Sequence, residues 1–207
     1  MSHTGRLALT YLPAYKHTYL SDVKLTNLPS SVMAVRKNGG EIELASVAVK
    51  DAAGKLLPDA MPVVSIIKDG SYSGIDFGDD PALELDLIAS IDHKLAMGRL
   101  AGFIVEGLVP YGSSASQARQ KLMFKATFSG IPVAKVGRGA PEGFADPHEF
   151  QIAASNLTAT KARFLLMACL LKFGSFPPAR NPDNPTASEL AAIRKAVSQY
   201  QAVFDTH

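Results

Sequence analysis

A chain of 207 residues with 47% hydrophobic content can bury one large core, or one core with a substantial appendage. Its net charge of +2, with Lys and Arg scattered along the chain, is too small to imply the basic footprint of a nucleic-acid or anionic-membrane binder. The single cysteine, Cys169, excludes an intramolecular disulfide and a four-cysteine zinc site.

In chain order, residues 1–60 are strand- and turn-rich: RLALTYL, then SSVMAVRK, Asn38-Gly39-Gly40, EIELASVAVK and Asp51-Ala52-Ala53-Gly54. Asn-Gly-Gly between two β-rich runs predicts a hairpin. This region has too little apolar mass to fold alone, so it reads as a β-rich antiparallel extension. From Met61 the rhythm changes to alternating strands and helices. Pro62–Ile67 predicts a strand. Pro81–Leu100 predicts an amphipathic helix with Leu83, Leu87, Ile91 and Leu95 on one face, and Asp80 before Pro81 makes a good N-cap. Phe103–Val109 is an apolar run too short for a helix and predicts a buried parallel strand. Ser113, Ser114 and Ser116 offer caps for a helix ending near Gly130, and Ile131–Val136 predicts the next strand. A loop rich in Gly, Pro and Asp leads to a short strand near Phe150–Ala153. Thr158 caps a helix to about Lys172, ended by Gly174. Cys169, in FLLMACLLKF, reads as a buried core thiol. Pro177–Pro185 is an irregular linker, and Thr186-Ala-Ser-Glu189 is a capping box for a last helix.

Repeated βα units predict an α/β fold for residues 61–207: a parallel, flavodoxin-like sheet of about four strands flanked by helices, preceded by the 1–60 extension. Ligands of such sheets sit outside the carboxyl ends of the strands. That directs attention to two loops, Pro110-Tyr111-Gly112-Ser113 and Gly137-Arg138-Gly139. Their strands are expected to be neighbours, because one right-handed crossover helix links them.

Other candidates carry blander readings. His93 reads as a solvated helix residue. His148, in Asp-Pro-His-Glu, lacks a second His at ligand spacing, and no metal site is expected. GSSAS is not a nucleophile elbow, because its fifth position is Ser. Asp76, Asp79 and Asp80 suit the positive end of the following helix. No G-x-G-x-x-G fingerprint is present, and no cofactor is expected.

Several segments resemble the C-terminal domain of the bacterial-type L-asparaginase/glutaminase family. They are GFIVEGL with its Gly/Ser loop, GIPVAKVGRG, IAASNLTATKARFLLMACL and the closing ELAAIRKAVSQY. The third is the most specific, and the match spans roughly residues 61–204. A looser likeness at Tyr15-Lys16-His17-Thr18 and Ser21-Asp22-Val23 touches the stretch leaving the family's N-terminal domain. The family's Thr nucleophile and its Thr-Asp and Lys partners lie in that N-terminal domain, and no such motif occurs here, so no catalytic residue is assigned in this chain. The resemblance implies the C-terminal portion of an amidohydrolase acting on the side-chain amide of an amino acid such as Asn or Gln, joined by an N-terminal catalytic half.

In the family the C-terminal domain lends an Asn and an acidic side chain to a neighbouring active site. The Asn position falls at Pro110–Ser113, where this chain offers Tyr111 and Ser113 instead. The acidic position falls in Glu142–Asp146, with Glu142 the best placed. Tyr111, Gly112, Ser113, Arg138 and Glu142 form the expected substrate-binding set, suited to a small zwitterionic, amino-acid-like ligand. The blander reading is an Arg138–Glu142 ion pair that pins the loop. The other functional class is a non-catalytic binding or assembly protein on the same fold. The charged fraction of 19% is low and implies apolar surface, hence a homo-oligomer or a missing partner domain. No nucleic-acid or membrane partner is expected. With no 18-residue apolar run and no signal-peptide pattern, the expected location is cytoplasmic.

Overall fold

The computed structural model describes residues 27–68, 80–107, 116–137, 148–154 and 157–206. The architecture is α/β. A parallel sheet runs in the order β3 (Val63–Lys68), β4 (Ala101–Gly107), β5 (Val133–Gly137), β6 (Ile152–Ala153), and a separate antiparallel hairpin pairs β1 (Ser31–Asn38) with β2 (Glu41–Ala48). Neighbouring strands of the parallel sheet follow chain order. Crossovers of one hand therefore carry α1 (Leu85–Met97) and α2 (Gln117–Phe128) to the same face. The helices α3 (Ala159–Phe173) and α4 (Ala187–Phe204) pack with the opposite face.

Two cores result. One joins Leu87, Ile91 and Leu95 of α1 to Phe103, Val105, Val133, Leu122 and Met123, with Val35 of the hairpin. The other joins Ile104, Ala134, Val136 and Ile152 to Leu166, Cys169, Leu170, Ile193, Val197, Tyr200 and Phe204, with Val32 and Ala34 of the hairpin. Strand β1 therefore contributes to both. In β4 the successive residues Phe103, Ile104 and Val105 alternate between the two cores, which is why this strand is apolar as far as Val105.

Local chemistry explains most boundaries. The hairpin turns at Gly39 (φ 58°) and Gly40 (φ 97°), the two positive φ values that a two-residue turn of the mirror-image type requires. Ser116, Thr158 and Thr186 each accept a hydrogen bond from a backbone N–H in the first turn of α2, α3 and α4. At α4 the capping box is complete, and Glu189 also accepts from the Arg180 N–H at 2.8 Å, which ties the Pro-rich linker to the helix. That bond, followed by the bonds from Thr186, holds the Glu189 carboxyl down at about 2. One helix differs from expectation. Pro81–Leu83 forms a separate 3-10 turn, capped by Asp80 accepting from Ala82 N at 2.9 Å, before α1 begins at Leu85. The tighter turn rotates Leu83 out of phase with Leu87, Ile91 and Leu95, and it stands 51% exposed while they are buried.

The hairpin is fastened to the α/β part by the segment that follows α3. Gly174 ends the helix at φ 78°, and a Cβ there would meet Met33 O at 2.5 Å and Met33 N at 3.0 Å. Ser175 N donates to Met33 O at 2.8 Å, and Val35 N donates to Ser175 Oγ at 3.0 Å. Phe176 N donates to Gly130 O, and Ala179 N to Phe128 O. The buried Tyr200 hydroxyl donates to Gly174 O. Gly54 has nearly the same φ, 80°, with nothing within 4 Å of a Cβ. Comparing the two separates conformational cost from crowding. Gly54→Ala is expected to cost about 1–2 kcal/mol, and Gly174→Ala about 3 kcal/mol or more, because backbone must move. Equal losses in urea unfolding would show that the approach to Met33 is not limiting.

Candidate functional site

The carboxyl ends of three strands lie level. Lys68 of β3 is in register with Glu106 of β4, Glu106 with Val136 of β5, and Gly107 with Gly137. The chain thus leaves β4 and β5 side by side at one end of the sheet, as the single linking helix led one to expect. Glu106 stands one residue before the β4 exit and half-buried, with the exposed Lys68 as its register partner. Sequence inspection did not single out this pair. The signal available was a lone carboxylate closing an otherwise apolar strand.

The helices that return from this edge are tied together. Glu84, at the start of α1, accepts from Arg119 Nε in the first turn of α2 at 2.8 Å, and both side chains are largely shielded from solvent. Ser116 Oγ accepts from Arg119 N at 3.1 Å. The re-entry points of the chain after β3 and after β4 are therefore held against each other by a charge-assisted bond. Its loss through Arg119→Met is expected to cost about 1.5–3 kcal/mol, with Glu84→Gln milder because the amide still accepts. Thermal unfolding of the two variants checks the order; a harmless Arg119→Met would mean that the pair is not an anchor.

The proposed binding residues Tyr111, Gly112, Ser113, Arg138 and Glu142 lie outside the described residues, as do His17, Asp76 and Asp79. The described residues supply the paired strand exits at Gly107 and Gly137 and the cap at Ser116. Of the remaining candidates, His93 is exposed on α1. His148 packs its ring on Phe124 at 4.7 Å between centroids. Burial, and then the Lys135 charge, hold it below the ordinary histidine value. His148, Glu149, Arg194, Ser198 and Asp205 border an open groove of about 600 Å³ beside α4. Arg194 there pairs with Glu149 at 3.2 Å, and Gln201 bonds Ala153 O. Among the described residues there is no group of three His, Cys, Asp or Glu side chains able to hold a metal ion, and no helix is long and apolar enough to cross a membrane. Cys169 is fully buried, and burial pushes its thiol far up, which leaves it an inert core group.

Lys94 is the ionisable group whose position is least expected from the sequence. It is 2% exposed. Its Nζ donates to Val63 O at 2.8 Å and lies 4.7 Å from the Phe103 ring centroid. Burial, and then the Arg163 charge, bring it down to about 8. Perturbed groups mark active sites when they line clefts. Lys94 instead sits at the first residue of β3, the sheet end opposite the strand exits, so the structural role is the better account. Below about pH 8 both folded and unfolded chains hold its proton. Between there and its ordinary value only the unfolded chain does, so stability rises with pH across that window. Relative to Lys94→Met, the wild type is expected to gain about 3 kcal/mol from pH 7 to 10.5. The raised Cys169 and Tyr200 oppose this equally in both proteins and cancel in the difference. A flat difference between the two unfolding curves over that range would refute the buried-amine account.

No protein-family model matches this chain, and no curated protein matches it. Among solved structures it is similar to the crystal structure of a probable cytoplasmic L-asparaginase from Campylobacter jejuni, at 19% identity and a TM-score of 0.46, over 82% of this chain and 47% of that one. The chain thus spans about half the length of that protein. A likeness this distant carries no argument about chemistry. The class that the structure itself defines is an α/β protein with a four-stranded parallel sheet covered by helices and joined by an antiparallel hairpin.

Proposed function

We propose that this chain is the C-terminal portion of an asparaginase-like amidohydrolase, contributing substrate-side contacts for the side-chain amide of an amino acid such as asparagine or glutamine. In that chemistry a hydroxyl attacks the amide carbon, ammonia leaves, and water hydrolyses the acyl-enzyme. The hydroxyl would come from an N-terminal half. This chain would bind the α-ammonium and α-carboxylate ends of the substrate.

The observation that favours this reading is the register of Gly107 with Gly137. It brings the chain exits toward Tyr111–Ser113 and Arg138–Glu142 to the same sheet edge. A guanidinium and loop N–H groups suit a carboxylate, and Glu142 suits an ammonium. The sequence likeness of GFIVEGL, GIPVAKVGRG and IAASNLTATKARFLLMACL to the family supplies the reaction class.

Calorimetric titration with L-aspartate, the unreactive product, tests the binding role. Arg138→Ala and Glu142→Ala are each expected to weaken binding by about 10- to 100-fold without lowering the melting temperature. Absence of binding, or loss of stability with binding unchanged, overturns the reading and leaves the two residues as a structural pair. The isolated chain is further expected to release no ammonia from asparagine. Turnover at an ordinary enzymatic rate of about 1–1000 per second would place a nucleophile in this chain and overturn the division of labour.

A further inference from the structure

We propose that the free edge of β2 pairs antiparallel with β2 of a second copy of this chain, joining two hairpins into one continuous sheet. The backbone geometry selects that edge. Asn38 and Glu41 flank the two-residue turn and are register partners, so they exchange hydrogen bonds with each other, as do the alternate pairs Arg36–Glu43, Ala34–Ala45 and Val32–Val47. The intervening residues point their N–H and C=O groups away from the partner strand. On β1 this outer edge is occupied: Ser175 takes Met33 O and Val35 N. On β2 the outward groups belong to Ile42, Leu44, Ser46 and Ala48, and among the described residues no hydrogen bond reaches them.

Such an edge is a template for another strand. The usual defences are missing: EIELASVA contains no proline, lysine or arginine, and its register with β1 runs without a bulge. Glu43 could guard it, but it is committed to its own hairpin, accepting from Arg36 Nε at 2.8 Å and Asn38 Nδ2 at 3.2 Å.

The strand is also complementary to itself. Antiparallel pairing places outward residues opposite outward residues, and the register with Ala45 on the two-fold axis uses all of them. Leu44 then faces Ser46 of the second copy and Ile42 faces its Ala48, giving about eight hydrogen bonds. Glu43 falls opposite Val47 of the second copy, so no acidic side chain meets its own image. Ala45 meets Ala45 in a non-hydrogen-bonded pair, where the backbones approach closest and a small side chain fits.

The test uses the full chain. Sedimentation at micromolar concentration is expected to show a dimer. Ser46→Pro deletes an N–H that points off the sheet, so β1–β2 pairing survives. By symmetry the dimer loses two donors, and its dissociation constant is expected to rise about 30-fold with circular dichroism and melting temperature retained. Because Pro could disturb the strand locally, a second variant probes contact directly. Ala45→Cys places two thiols about 4.5 Å apart at the Cα atoms, within disulfide reach, and oxidation is expected to give a covalent dimer. The wild type, whose only cysteine is the buried Cys169, stays uncrosslinked. A monomeric wild type, a dimer indifferent to Ser46→Pro, or an Ala45→Cys chain that remains monomeric on oxidation each overturns the proposal. Docking of an extended peptide on this edge without a dimer overturns it as well.

Discussion

The close approach of Gly174 to the backbone of Met33 is the contact on which the rest of the structure depends. A chain with two separate sheets needs something to hold one against the other, and here that is the turn after α3. Only a residue without a Cβ lets the helix end lie this near β1. Once it does, Ser175 reads the edge of β1 as an adjoining strand would, and Phe176 fills the space between β1, the end of α2 and α4. Phe176 is fully buried and meets Tyr200 edge-on at 5.0 Å. The hydroxyl of Tyr200 returns to Gly174 O, which closes the circuit. Burial of this kind dominates the stabilisation, at about 1.5–3 kcal/mol for each large apolar side chain. The hydrogen bonds add direction to it.

The same arrangement explains why the hairpin is not an independent unit. Val32 and Ala34 enter the core shared with α3 and α4, and Val35 enters the core shared with α1 and α2. A strand pair is marginal in water by itself. This one is stabilised by helices on both sides of the parallel sheet, and in return it covers the ends of both cores. The edge of β1 that faces away from β2 is consumed in that task, and among the described residues no hydrogen bond reaches the outward groups of β2.

The two ends of the parallel sheet are built differently. At the carboxyl ends, chain exits are paired and the returning helices are braced by Glu84 and Arg119. At the amino end, a buried lysine satisfies a carbonyl of the edge strand. The strongly shifted amine thus lies at the amino end, and its shift is no mark of a site, because burial shifts a group whether or not any ligand can reach it.

The sequence by itself determined the α/β class, the hairpin at Asn38-Gly39-Gly40, the strand–helix order from Met61 and the caps at Asp80, Ser116, Thr158 and Thr186. Each is a local decision: a turn needs positive φ, a helix start needs an acceptor for a free N–H, and a strand buried on both faces needs an unbroken apolar run. It also marked Cys169 as a core thiol and pointed to β4 and β5 as neighbours, because strands joined by one crossover helix usually lie side by side. Only the tertiary structure decided the 3-10 turn that expels Leu83, the burial of Lys94, the Glu84–Arg119 brace and the docking of Gly174 on Met33. The last three depend on residues brought together across 31, 35 and more than a hundred positions of chain. Periodicity and spacing act over one or two turns, so a lysine in a helix reads as solvated until the neighbouring strand is in place, and a glycine after a helix reads as a stop signal until another backbone is found against it.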